Sequence, residues 1–179
     1  MTNSNLISEL KRITKTNNKG YYEYNGKEYK KIVATPHESQ NKFKYVSEYY
    51  FLVEPITWNI IEDKNEGTFT LMSDKILFSQ KFNLKDYEGS DFKTSFIIEW
   101  LNNTLIYDMF NYDERLKLVK NIEFDKNVYF ESIWTIKNSL WRKRFNPQAS
   151  PTDYAIASGL VYYQNKPLWW TSSKSEGNY

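Results

Sequence analysis

Tyr21-Tyr22-Glu23-Tyr24-Asn25-Gly26-Lys27-Glu28-Tyr29-Lys30-Lys31-Ile32-Val33-Ala34 is the stretch on which the fold turns. Two runs rich in aromatic and β-branched residues, 21–24 and 27–34, flank Asn25-Gly26. Both central positions of a type I′ turn need a positive φ, which asparagine and glycine tolerate, and that turn matches the twist of paired strands. The stretch therefore predicts a β-hairpin, and with it an antiparallel sheet.

On the N-terminal side, Leu6, Ile7, Leu10 and Ile13 keep a helical period over residues 3–15, with Asn3 or Ser4 as cap. Residues 1–20 thus read as an amphipathic helix or as a lead-in on the domain edge, broken at 17–20. On the other side, residues 36–44 form a polar loop that carries His37. The apolar segment 45–61 is interrupted by Pro55, which predicts strands near 49–53 and 57–61. Strands at 68–72 and 76–79 follow, split by Ser73-Asp74-Lys75, and the connections are too short for parallel crossovers.

Residues 91–110 hold the clearest helix, through Phe96, Ile97, Trp100, Leu101, Leu105 and Met109. Asn111 and Glu114 have capping-box spacing and open a second helix through 120. Residues 128–134 are strand-like. Pro151-Thr152-Asp153 opens a helix over 153–158 that stops at Gly159. Two strands, 160–163 and 168–171, surround a turn at 164–167, and 172–179 is a polar tail. The expected fold is α+β: a twisted antiparallel sheet with one long and several short flanking helices, in a single domain over 21–179.

Composition narrows the chemistry. The chain has 179 residues, 18% of them aromatic, and a formal net charge of +2. Near neutrality excludes a strongly basic nucleic-acid coat and a polyacidic tail. Cysteine is absent and His37 is the sole histidine. That excludes disulfides, a cysteine zinc site and a cysteine nucleophile, and any Ser-His-Asp triad would have to pass through His37. The six glycines are isolated from one another, so no phosphate-cradling loop is present. No EF-hand-like acidic loop occurs either. No cofactor and no metal are expected. Apolar runs of signal-peptide or membrane-span length are absent, which predicts a cytoplasmic protein without a membrane partner.

Among candidate contact residues, Trp58 and Trp100 fall in apolar patterns and read as core. Trp169 and Trp170 are adjacent on an expected strand and so point to opposite faces, one of them outward. Arg142-Lys143-Arg144, between Trp141 and Phe145 and just after Lys137, is the densest basic cluster. Its alternative reading is a solvated turn, or a weak nucleic-acid contact. Tryptophan and arginine dominate interface hot spots, so Arg142, Lys143, Arg144, Trp169 and Trp170 form the expected binding face. Glu54, Glu62, Asp63, Asp113 and Glu114 supply carboxylates, which the sequence cannot pair, and His37 reads as a solvated loop residue.

A series of short motifs adds a resemblance. They are Glu54-Pro55-Ile56-Thr57-Trp58-Asn59-Ile60, Ser73-Asp74-Lys75-Ile76-Leu77, and Ser95 followed by Trp100-Leu101-Asn102. Phe110 with Glu114, Pro151-Thr152-Asp153-Tyr154-Ala155 and Trp169-Trp170-Thr171-Ser172 complete the set. In this order they resemble a bacterial family, domain of unknown function 6273, over roughly residues 45–172. The resemblance implies a fold similar to C-type-lectin-like or sulfatase-modifying-factor domains. Thr171-Ser172 stand where members carry Leu-Arg, and members continue past the point where this chain stops. A site built at that end is therefore expected to differ. Such folds host binders and enzymes alike, so the fold does not select the function.

The expected function is non-catalytic recognition of another macromolecule, most simply a protein. Its specialised form is a small inhibitor, carried by a phage or mobile element, of a host nuclease or CRISPR defence system. A lectin-like carbohydrate module and an enzyme of unfamiliar mechanism are the alternatives. Oligomeric state is not legible.

Overall fold

Asn25 and Gly26 have φ of 48° and 70°, the two positive values that the turn requires. They join β1 (Tyr22–Tyr24) to β2 (Lys27–Ala34), and β2 pairs in turn with β3 (Ser47–Leu52). The three strands form an antiparallel sheet in the order β1-β2-β3, with Tyr22 opposite Tyr29 and Lys31 opposite Tyr50. The computed structural model describes residues 4–63, 67–84, 95–118, 150–163 and 166–167. The chain divides into two compact units. The first comprises Met1–Ile60, Leu71–Ser79 and Ala149–Leu168, and the second Ile61–Thr70, Gln80–Gln148 and Trp169–Tyr179.

In the first unit both faces of the three-stranded sheet are covered, because residues opposite each other in the register share a face. On one face α1 (Ser4–Arg12) buries Leu10 completely against Tyr29 and Tyr50, with Leu6 and Ile13 alongside. The rings of Tyr22 and Tyr50 meet edge-on at 5.4 Å. On the other face Phe43 packs on Tyr49 and Phe51 at 5.1 and 5.7 Å. Tyr154 then packs on Phe51 at 5.6 Å and on Phe78 at 6.1 Å.

Tyr154 comes from α5 (Asp153–Ala157), whose caps explain its short length. Thr152 Oγ1 accepts from the Ala155 N–H at 3.1 Å. At the other end Gly159, at φ 97°, lets Leu160 N–H reach the Ala155 carbonyl, the closure of a Schellman motif. Ala155, Ile156 and Ala157 are buried. Both the cap at Thr152 and the stop at Gly159 agree with the sequence. The expected strand at 76–79 instead contributes one parallel bridge, Ile76 to Pro151. The final pair is β6 (Tyr162–Tyr163) with β7 (Lys166–Pro167), so Pro167 lies in a strand rather than in the turn.

β4 (Trp58–Asp63) and β5 (Phe69–Ser73) form a hairpin. The second unit holds the long helix. Its pieces are α2 (Phe96–Trp100), a π-helical turn (Leu101–Leu105) and α3 (Ile106–Met109). Ser95 makes no side-chain cap; the first N–H groups go instead to Asn83 Oδ1 from Phe96 and to the Phe82 carbonyl from Ile97. Ile97, Ile98, Leu101 and Leu105 are the buried face, while Trp100 is half-buried. α4 (Tyr112–Lys117) opens on the expected capping box, with Asn111 Oδ1 and Glu114 Oε2 each accepting from the other's N–H. Among the described residues the molecule is thus mixed α+β, with small antiparallel sheets and helices, and no helix is long and apolar enough to cross a membrane.

Candidate functional site

Five residues were expected to make the binding face: Arg142, Lys143, Arg144, Trp169 and Trp170. All lie outside the described residues, as do Lys137 and the strand expected at 128–134.

Of the candidate carboxylates Glu62 and Glu114 are engaged locally, as is His37. His37 Nδ1 lies 2.8 Å from Ser39 Oγ and accepts from the Ser39 N–H at 3.3 Å, which closes a turn. Glu62 accepts from Thr70 Oγ1 at 3.3 Å, and Glu114 serves the α4 cap. Asp153 pairs with Lys42. Among the described residues no three His, Cys, Asp or Glu side chains gather as a metal site. A hollow at the β1–β2 turn is lined by Glu23, Tyr24, Asn25, Gly26, Lys27 and Glu28. One continuous turn supplies all of its walls, whereas ligand pockets draw convergent groups from several elements.

Three groups on the first unit have shifted acidities. Lys31 is raised, first by its hydrogen bond to Glu48 at 3.0 Å and then by the nearby Tyr22. Burial raises Tyr50, and the facing Lys31 ammonium partly offsets it. Tyr162 is raised by burial, against Lys42. Each shift belongs to packing of the sheet and its flanks. The ring contacts of Phe43, Tyr49, Phe51, Phe78 and Tyr154 likewise belong to packing.

The outlier is the β4–β5 hairpin. Trp58 was expected in the core, yet it is 36% exposed and Ile60 is 63% exposed. Asp74 N–H donates to the Thr57 carbonyl at 3.0 Å. Continued along the pair, that bond sets Ile60 opposite Leu71 and Trp58 opposite Ser73, on one face. Leu71 is also exposed, as is Phe69 two positions earlier on β5. The alternate positions face the other way, and Ile61 and Thr70 are buried. The sequence contains apolar residues at both Ile60 and Ile61, so alternation alone could not say which face was the inner one. Large apolar side chains gathered on an exposed strand face mark contact surfaces when they are contiguous.

No family model, curated protein or solved structure matches the chain.

Proposed function

We propose that this protein is a non-catalytic recognition domain that binds another protein through the exposed face of β4 and β5. The observation that carries the reading is the exposure of the large apolar side chains of Trp58, Ile60 and Leu71 on β4 and β5. Tryptophan is among the residues most enriched at binding hot spots. An inhibitor of a nuclease-based defence system is the specialised form of this proposal. The C-type-lectin-like arrangement belongs to it as well, and the antiparallel sheet with flanking helices supports it.

The test is capture by the immobilised full-length chain from a lysate of the organism that encodes it, beside the variant Ile60→Asp/Leu71→Asp. Charges at exposed positions leave folding nearly intact, so the variant is expected to melt with the wild type. Partner recovery is expected to fall at least about tenfold, the loss of one hot-spot contact. Equal recovery by the two proteins would remove this face from the proposal. Against a nuclease target, the wild type lowers cleavage and the variant restores it.

A further inference from the structure

Among the described residues, no strand pairs with the outer edge of β3. Val53 N–H donates to the Glu28 carbonyl at 2.8 Å, which continues the β2–β3 register by one hydrogen-bonded pair. Such pairs alternate along an antiparallel ladder, so Ser47, Tyr49 and Phe51 aim their backbone groups at β2. Glu48, Tyr50 and Leu52 aim theirs away from it. Among the described residues, none of these outward N–H or C=O groups has a hydrogen-bond partner. A row of unpaired backbone groups along a strand edge is a template on which a further strand can pair.

Natural sheets blunt such edges with lysine, proline, bulges or very short strands. The opposite edge, β1, is three residues long. Ser47–Leu52 runs for six residues and contains no lysine, proline or glycine. We propose that an extended segment of a partner protein adds to β3 as a fourth, antiparallel strand, pairing its backbone with Glu48, Tyr50 and Leu52.

The side chains define that segment. Glu48, Tyr50 and Leu52 lie on one face, and Leu52 is exposed. Glu48 is paired with Lys31 at 3.0 Å and remains partly exposed, and a Lys or Arg opposite it on an added strand would form a favourable cross-strand pair. Read from its N-terminus, the fitting segment is apolar, any, apolar, any, Lys or Arg. A second copy of β3 fits less well. Centred on Tyr50, it sets each Glu48 against Leu52; centred on Glu48, it sets carboxylate against carboxylate.

The inference rests on the reading of the chain as a protein binder, but it uses a surface other than Trp58, Ile60 and Leu71. The probe is an acetylated, amidated peptide, Thr-Val-Thr-Val-Thr-Lys-Thr, titrated into the full-length chain. Its control carries N-methyl groups on both valines and the lysine, which removes the three donors and keeps the side chains. Saturable binding is expected, at least about tenfold weaker for the control, since each hydrogen bond contributes a modest net share. Amide exchange is expected to slow at Glu48, Tyr50 and Leu52 and to stay unchanged at Tyr49 and Phe51. Leu52→Pro removes one outward N–H without touching the β2 ladder, and is expected to weaken the peptide while keeping the melting temperature. If that variant unfolds, the methylated control decides.

Absence of peptide binding, equal binding of the control, or uniform protection would overturn the proposal. So would a dimer of the free chain with the same alternating protection, because the edge would then belong to a second copy. Ile60→Asp is expected to bind the peptide as the wild type does. Loss of peptide binding alone, with partner capture still sensitive to Ile60→Asp, rejects the edge and leaves the apolar face standing.

Discussion

Glu23 and Glu28 stand directly opposite each other on β1 and β2, two carboxylates on one face of the hairpin. Like charges in that position repel. Asn17 reconciles them, its Nδ2 donating to Glu23 at 3.0 Å and to Glu28 at 2.6 Å. Its Oδ1 accepts from the N–H groups of Lys19 and Tyr21, both at 3.0 Å, which fixes the amide the right way round. Asn17→Asp keeps the shape, removes both donors and adds a third negative charge. It is expected to cost about 2 kcal/mol, on the scale of hydrogen bonds to charged groups. Added salt is expected to recover part of that loss by screening. A urea midpoint equal to that of the wild type would show that the pair needs no bridge.

Val46 has φ 54° and is 66% exposed. A β-branched residue at positive φ is a conformational outlier. Its N–H donates to the Ala34 carbonyl, while the register sets Ser47 opposite Ala34. That is the pattern of a bulge whose first position usually holds glycine. Val46→Gly releases the strain and gives up little packing, though glycine gains freedom in the unfolded chain. The net expectation is a gain of about 1 kcal/mol in chemical denaturation, from a left-handed penalty of about 1–2 kcal/mol. A destabilised glycine variant would mean that the valine side chain packs in the folded chain.

The elements legible in the sequence were those defined by local chemistry. Asn25-Gly26, the Asn111–Glu114 box, Thr152 and Gly159 each act within a few residues, and each is where the residue types put it. Features that depend on distant contacts were not legible. Trp58 read as core because a strand's alternation does not name its inner face. The π-helical turn at Leu101–Leu105 was hidden because Leu101 and Leu105 satisfy an ordinary helical period as well. The edge position of β3 among the described strands depends on strand order, which the hairpin signal does not extend to. For the candidate site the sequence singled out residues 142–144, 169 and 170, outside the described residues, and passed over Ile60 and Leu71.

Gly159 and Gly20 make an internally controlled pair. Both have positive φ, 97° and 76°. A Cβ on Gly159 would sit 3.0 Å from the Thr35 carbonyl oxygen, whereas one on Gly20 meets nothing within 4 Å. The Thr35 N–H is held by the Ala157 carbonyl at 2.8 Å, so the strand end cannot easily give way. Gly20→Ala is expected to cost about 1 kcal/mol from conformation alone, and Gly159→Ala about 2–3 kcal/mol from strain plus contact. Thermal melts of the two variants check the order. Equal losses would mean that the approach to Thr35 relaxes freely.

The last expectation concerns alkaline pH, where two facing residues act in the same direction. Lys31 and Tyr50 are opposite each other on β2 and β3, and both pKa values are raised on folding. For Lys31 the cause is first the Glu48 carboxylate, which favours the ammonium; for Tyr50 it is burial, which disfavours the phenolate. A raised folded pKa means that the folded chain holds its proton longer than the unfolded one. The stability from each group is therefore complete below about pH 10, where the unfolded groups begin to titrate, and is lost as pH rises through the folded values. Tyr50→Phe keeps the ring and deletes the titrating hydroxyl, and Lys31→Met deletes the ammonium. Each is expected to flatten the fall of the urea midpoint above about pH 10 while leaving the profile at pH 6–8 parallel to that of the wild type. An unchanged alkaline slope in Tyr50→Phe would show that the phenol beneath α1 titrates as it does in water.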